Sequence, residues 1–165
     1  MARRCFYSFH YQPDNWRAST VRNIGAIEGN KPATDNDWET VKKGGDAAIK
    51  KWIAVQMSGR SCAVVLVGTN TDNRKWINHE IVQAWDKGMG VIGIHIHGLK
   101  NSDGKVSTKG SNPFGFIGYG NTGKKLSSIV KCYDPAGGNS AERYNWIKKH
   151  LANAVEEAIN IRNAN

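Results

Sequence analysis

The chain has 165 residues, 39% hydrophobic and 22% charged, with six tryptophans; that is the length of one domain, with enough apolar material for a core that needs no metal or disulfide staples. Its 23 Lys and Arg against 14 Asp and Glu leave a net charge of +9, which favours polyanionic partners, phosphate-bearing small molecules included. No apolar run approaches the roughly 20 residues of a membrane span, and "MARRCFYSF" passes from a short basic pair into strand-like alternation without a signal-peptide core, so a cytoplasmic protein with no membrane partner is expected.

Residues 4–9, "RCFYSF", alternate with the period of a strand, and "DNWRASTVRNI" from Asp14 has an N-cap candidate and helical apolar spacing. The stretch 25–36 is rich in Gly, Asn and Pro and has room for only a short second strand. From Asp37 to Met57 helical spacing resumes, with the Gly44-Gly45 pair expected to break or bend it. "CAVVLVG" at 62–68 is a continuous apolar run, the pattern of a central parallel strand covered on both faces. A helix follows with the stripe Ile77, Ile81, Ala84 and Trp85 and a terminator at Gly88; then come a strand at 91–96 and a long glycine-rich loop. "LSSIVKCY" reads as a fifth strand, and a closing amphipathic helix covers about 140–161. Strands alternating with helices predict one α/β domain over residues 1–165, flavodoxin-like, with a mostly parallel five-stranded sheet and helices on both faces.

In such a sheet ligands bind outside the carboxyl ends of the strands, where the winding reverses between the first and third. The loops "HYQPDN" and "GTNTDN" should meet there, and the helix carrying Trp76 and Glu80 begins at the second of them. Glu80 lies at the edge of that helix's apolar stripe, on the side of Trp76. A carboxylate there is partly desolvated, which suits either a functional acid or a tolerated edge charge.

Other signals are weaker. "GYGNTGKK" at 118–125 matches G-x-G-x-x-G and nearly a P-loop, but lacks the strand before and helix after that phosphate binding requires, and reads as a basic loop. His95 and His97 share a strand face without a third ligand, so no metal centre is expected. Cys5, Cys62 and Cys132 are scattered in apolar stretches and read as buried free thiols. The basic pairs fit solvated faces better than a groove-reading patch, which makes nucleic acid an unlikely partner.

Together, "RRCFYSFHYQPDNWRASTVRNIG", "GTNTDNRKWINHEI", "KGMGVIGIHIHGLKN" and "KGSNPFGFIGYG" resemble the TIR-like proteins of the Thoeris anti-phage defence system, the ThsB family, over about residues 3–120. The chain departs from that pattern in the apolar-poor "IGAIEGNKPATDNDW" and in its short tail after Tyr133. The resemblance implies a TIR-type fold and an enzyme that consumes NAD as substrate, with no separate cofactor. On infection, sensed through a phage component, it would make a cyclic or conjugated ADP-ribose signal for a partner effector, and self-association would complete the site. The Glu of W-x-x-x-E is the catalytic carboxylate of TIR enzymes, which maps onto Glu80.

That chemistry needs one carboxylate. Cleaving ribose from nicotinamide expels a neutral molecule from a cationic pyridinium, so no general acid is required, unlike ordinary glycosides; what remains is to stabilise an oxocarbenium-like ribose, a task for an ionised Glu80. Ser8, Phe9, His10 and Tyr11 offer hydroxyls, a ring nitrogen and aromatic faces for substrate at the switch point, with Trp76 as a pocket wall. "SNPFGF" at 111–116, Asn112 included, reads either as a lid over the substrate or as a loop used only in assembly. A catalytically silent adaptor acting by self-association, and a basic nucleic-acid-binding domain, are the rival readings.

Overall fold

The computed structural model describes residues 2–29, 41–120 and 123–165. Strands β1 (Arg4–Ser8), β2 (Glu28–Gly29), β3 (Cys62–Val67), β4 (Gly90–His95) and β5 (Cys132–Tyr133) form one sheet in the order β2-β1-β3-β4-β5, every pairing parallel. The helices are α1 (Tyr11–Arg22), α2 (Gly45–Met57), α3 (Lys75–Asp86) and α4 (Ser140–Asn163). This is the expected α/β architecture with its reversal between β1 and β3.

The sheet has a core on each face because each strand alternates. Tyr7, Val64, Leu66, Ile92 and Ile94 pack under α1 and α4 against Ala18, Val21, Ile147, Leu151 and Val155. Phe6, Ala63, Val65, Val67 and Val91 pack on the opposite face against Ile49 and Ile53 of α2 and Ile77 and Ile81 of α3. At Gly90 a Cβ would stand 2.7 Å from the Ile159 backbone nitrogen, so α4 lies directly on β4. Cys5 and Cys62 are buried free thiols, and Cys132 is half-buried.

Three boundaries differ from the sequence reading. Helix α1 starts at Tyr11 rather than Asp14, since Pro13 is tolerated in a first turn where no N–H partner is needed. The fifth strand contracts from 126–133 to Cys132–Tyr133, and Leu126–Ser128 is a 3-10 turn. There Leu126 and Val130 both enter the core, and Ser128 Oγ donates to the Lys125 carbonyl at 2.8 Å, a local bond that competes with strand pairing. The glycine-rich segment is also more structured than a bare loop: a 3-10 turn at Pro113–Phe116 drives Phe114 fully into the core. At the Gly44-Gly45 pair Gly45 takes φ +79°, separating α2 from helical residues 41–43; the expected helix start at Asp37 lies outside the described residues.

Among the described residues no helix is long and apolar enough to cross a membrane, and no cluster of three metal-ligating side chains occurs. The stretch 118–125 closes on an antiparallel bridge between Gly118 and Lys125 and leads into the 3-10 turn, not a helix, so a phosphate-loop context is absent.

Candidate active site

A pocket of about 600 Å³ opens at the carboxyl end of β1, beneath α2 and α3, within the size range of small-molecule sites. Its walls come from the end of β1 and the turn into α1 (Phe9, His10, Tyr11, Gln12), from Ile49 and Trp52 of α2, and from Asn73 through Ile77 with Glu80 at α3. Four of the residues singled out in the sequence therefore converge on Glu80: Phe9, His10, Tyr11 and Trp76.

Local sequence explains the convergence. After β3, Gly68 donates its N–H to Thr71 Oγ1 at 2.8 Å, turning the chain sharply. Asn73 then adopts φ +55°, a left-handed conformation Asn tolerates better than most residues, and accepts from Asn78 Nδ2 at 3.1 Å. From that turn α3 runs with Trp76 and Glu80 one turn apart on the pocket side, while Ile77 and Ile81 enter the core. On the other wall Phe9 and Tyr11 stack at 6.2 Å between centroids.

The first turn of α1 is anchored from beneath. Asp14 and Arg17 form a buried pair at 3.4 Å, and Arg17 also donates to the carbonyls of Leu99 (2.7 Å) and Lys105 (3.0 Å), tying α1 to the loop after β4. Burial raises the Asp14 carboxyl despite Arg17, whose charge pulls the other way. A Cβ at Gly68 would come within 2.1 Å of Asp14 Oδ2, so any larger residue here must displace the Asp14 carboxyl.

Neither α1 nor α3 carries a side-chain N-cap: His10 and Arg74 hold those positions without capping hydrogen bonds. Both amino termini open beside the pocket, where the positive end of the helix dipole favours phosphate oxygens, although Pro13 removes one N–H from the first turn of α1. Lys42, Arg74 and Lys75 add positive charge at the rim, although Lys75 is also paired with Asp46 and lies 4.9 Å from the Trp76 ring centroid. His10 is held below the ordinary histidine range by burial and by Arg74, and its Nδ1 is buried without a protein partner.

Glu80 differs from every other carboxyl described. The residue is half-buried in the pocket wall, and burial pushes the pKa of its carboxyl up to about 8; the neighbouring Ser8 hydroxyl is the counterweight that favours the charged form. In the protein alone, the neutral acid therefore predominates at pH 7. Among the described residues no cation is a cause of that shift, so an ionised Glu80 at work needs a positive charge brought beside it.

Two sequence candidates sit elsewhere. Ser8 is 1% exposed and lies beneath the pocket rather than on its wall. Asn112 is outside the pocket, its Oδ1 accepting the Phe114 N–H at 2.9 Å to cap the 3-10 turn, and no residue of 111–116 lines the cavity. Phe114 holds this segment to the core beside Gly93 and Cys132. Sequence reasoning also passed over Trp52, Lys42 and Arg74. Trp52 was legible only as part of an apolar stripe, and the two cations were indistinguishable from other surface charges.

The chain is also similar to known proteins. A family model described as "Thoeris protein ThsB, TIR-like domain" matches residues 6–101, a span that holds every residue of the pocket. A curated relative from Bacillus cereus (strain MSX-D12), named "Putative cyclic ADP-D-ribose synthase ThsB1", is 39% identical over 133 residues, covering 76% of this chain and 69% of its own. The match crosses both walls of the cleft and the strands between them, and the chain belongs to the Thoeris ThsB family of TIR-like proteins.

Proposed function

We propose that this protein is an NAD-cleaving signalling enzyme that makes a cyclic ADP-ribose-type messenger. The observation that carries the reading is the placement of Glu80, the one carboxyl among the described residues lining an aromatic-walled pocket whose rim is cationic. The name of the Bacillus cereus relative points to the same chemistry. The aromatic faces of Phe9, Tyr11 and Trp76 suit nicotinamide and adenine. The two uncapped helix termini with Arg74 suit the pyrophosphate.

In the reaction the bond between ribose C1′ and nicotinamide nitrogen breaks, and its electron pair leaves with neutral nicotinamide. The ribose becomes oxocarbenium-like, and ionised Glu80 stabilises that charge. The pyridinium of bound NAD is itself a cation beside the carboxyl, and an opposite charge at that range favours ionisation. Binding would therefore release the Glu80 proton and arm the site. Attack by an adenine nitrogen gives a cyclic product; attack by water gives ADP-ribose and a proton. The aromatic walls, by keeping water out, favour the first.

In this reading the messenger activates a Thoeris effector, a phage component triggers synthesis, and self-association completes the site. Chromatography of nucleotides from phage-challenged cells, alongside NAD incubated with concentrated protein, tests it. Wild type should deplete NAD and accumulate a new ADP-ribose derivative, and Glu80→Gln should abolish both, a loss of at least about 100-fold for removal of the principal electrostatic group. If both proteins protect cells and neither changes NAD, the adaptor reading replaces this one.

A further inference from the structure

Ser8 closes β1 two residues after Phe6, so strand alternation puts both side chains on one face of the sheet. Phe6 packs in the layer beneath α2 and α3, and Ser8 follows it there, under the helix that carries Glu80. Ser8 pairs in register with Val65 and is 1% exposed; its Oγ is buried with no hydrogen bond of standard geometry. A buried hydroxyl without a partner costs about 1–3 kcal/mol, so an apolar residue would pack here at lower cost unless the hydroxyl has a partner in the working state.

Glu80 is the group beside it. Ser8 bears on that carboxyl in the sense that favours its charge, and Ser8 is the only side chain found to do so among the described residues. Of the ionisable groups that line the pocket with Glu80 (Tyr7, His10, Tyr11, Lys42, Arg74 and Lys75), and of Asp14, Asp46, Lys50 and His79 on the helices around it, none is a cause of the shift in its carboxyl.

We infer that Ser8 is a positioning residue for Glu80, its hydroxyl donating to one carboxylate oxygen from beneath and leaving the other aimed into the pocket. Rotation about the Ser8 Cα–Cβ bond redirects the hydroxyl without moving the backbone. The consequence for turnover rests on the function proposed above, whereas the contact is a property of the protein alone. Ser8 therefore serves the carboxyl rather than the substrate.

The test is titration of side-chain carboxyls by carbon NMR in protein labelled at glutamate, with Glu80→Gln identifying the Glu80 signal. Ser8→Ala should raise the Glu80 midpoint by about one unit, a tenfold lower ionised-to-neutral ratio at fixed pH in the transition region, while Ser8→Thr, which keeps the hydroxyl, should leave the midpoint near that of wild type. A Ser8→Ala midpoint equal to or below that of wild type overturns the inference. Should Ser8→Ala fail to fold, Ser8→Cys, of similar size and a weak donor, reads the same shift. In turnover, Ser8→Ala should lower kcat more than it raises KM and should recover as pH rises; a loss persisting at all pH values overturns the positioning role. If wild type never consumes NAD yet the NMR shift is found, the NAD reading falls and the contact stands.

Discussion

Glu80 must be ionised to steady a cationic ribose, yet its surroundings favour the neutral acid, with a pKa of about 8 set by burial. The kinetic consequence has a definite sign. Because kcat/KM reports the free enzyme, it should climb about tenfold per pH unit below pH 8 and level off above it. The kcat profile, which reports the complex, should level off at lower pH, because the bound pyridinium favours the carboxylate. Steady-state rates from pH 6 to pH 9 separate the two curves, and coincident midpoints would remove the proposed arming by substrate. Stability carries the opposite sign. An acid whose folded pKa is raised holds its proton longer in the folded state, so its contribution is fullest below pH 4.5 and is lost as pH rises toward 8. Glu80→Gln cannot ionise, and should therefore stabilise the protein at pH 8 by roughly 2 kcal/mol, after discounting for the partial exposure of the side chain.

At the scale of elements, the site depends on how α1 and α3 are seated against β1 and β3. Asp14 over Gly68 sets the height of the first turn of α1, and Arg17 locks that turn to the Leu99 and Lys105 carbonyls. Gly68→Ala should push Asp14 away, tilt the turn holding His10 and Tyr11, and cost about 1–3 kcal/mol as overpacking, with a matching fall in NAD consumption. Urea denaturation beside an activity assay checks both; an unchanged midpoint would mean that Asp14 yields by side-chain rotation alone. The same elements show what could be read in advance. The all-apolar "CAVVLV" announced a central strand, and Ile77 with Ile81 fixed the side of α3 that faces the core, placing Trp76 and Glu80 on the pocket wall. The fifth strand was misjudged because Leu126 and Val130 are buried at a spacing of four, which a strand-length apolar segment does not distinguish from a turn. The cap that Asn112 supplies was not legible, because it needs Phe114 to be in the core, a tertiary fact. Trp52 reaches the pocket only because α2 and α3 pack side by side, which spacing within one helix does not show.

Across the molecule, buried ionisable groups of opposite kind lie at different places along the carboxyl edge of the sheet. Near β1 is Glu80; at the end of β4 is His95, 5% exposed, its Nε2 3.5 Å from Cys132 Sγ and its ring edge-on to His97. Burial and the nearby Lys109, His97 and Arg143 hold His95 down to about 4, against the pull of Asp134. His97 and His10 are lowered in the same direction, again chiefly by burial. A histidine with a depressed folded pKa gives stability that is complete above its unfolded value near 6.5 and lost as pH falls toward 4, because the unfolded chain takes up the proton first. For His95 alone this reaches about 3 kcal/mol at most. Glu80 works in reverse over pH 8 to 4.5, so the two oppose each other below pH 6.5 and only Glu80 changes appreciably above it. Stability should therefore peak near pH 6.5, falling on the alkaline side through Glu80 and on the acid side through the histidines. Glu80→Gln should flatten the alkaline limb and, by removing the opposing trend, steepen the acid limb, whereas His95→Gln should weaken the acid limb and leave the fall above pH 6.5 in place. Thermal melts of the three proteins from pH 4.5 to pH 8.5 measure this; an acid limb unchanged in His95→Gln would assign the acid sensitivity to the carboxylates paired at the surface, Glu156 with Arg3 and Glu157 with Lys131, whose pKa values are lowered by those partners.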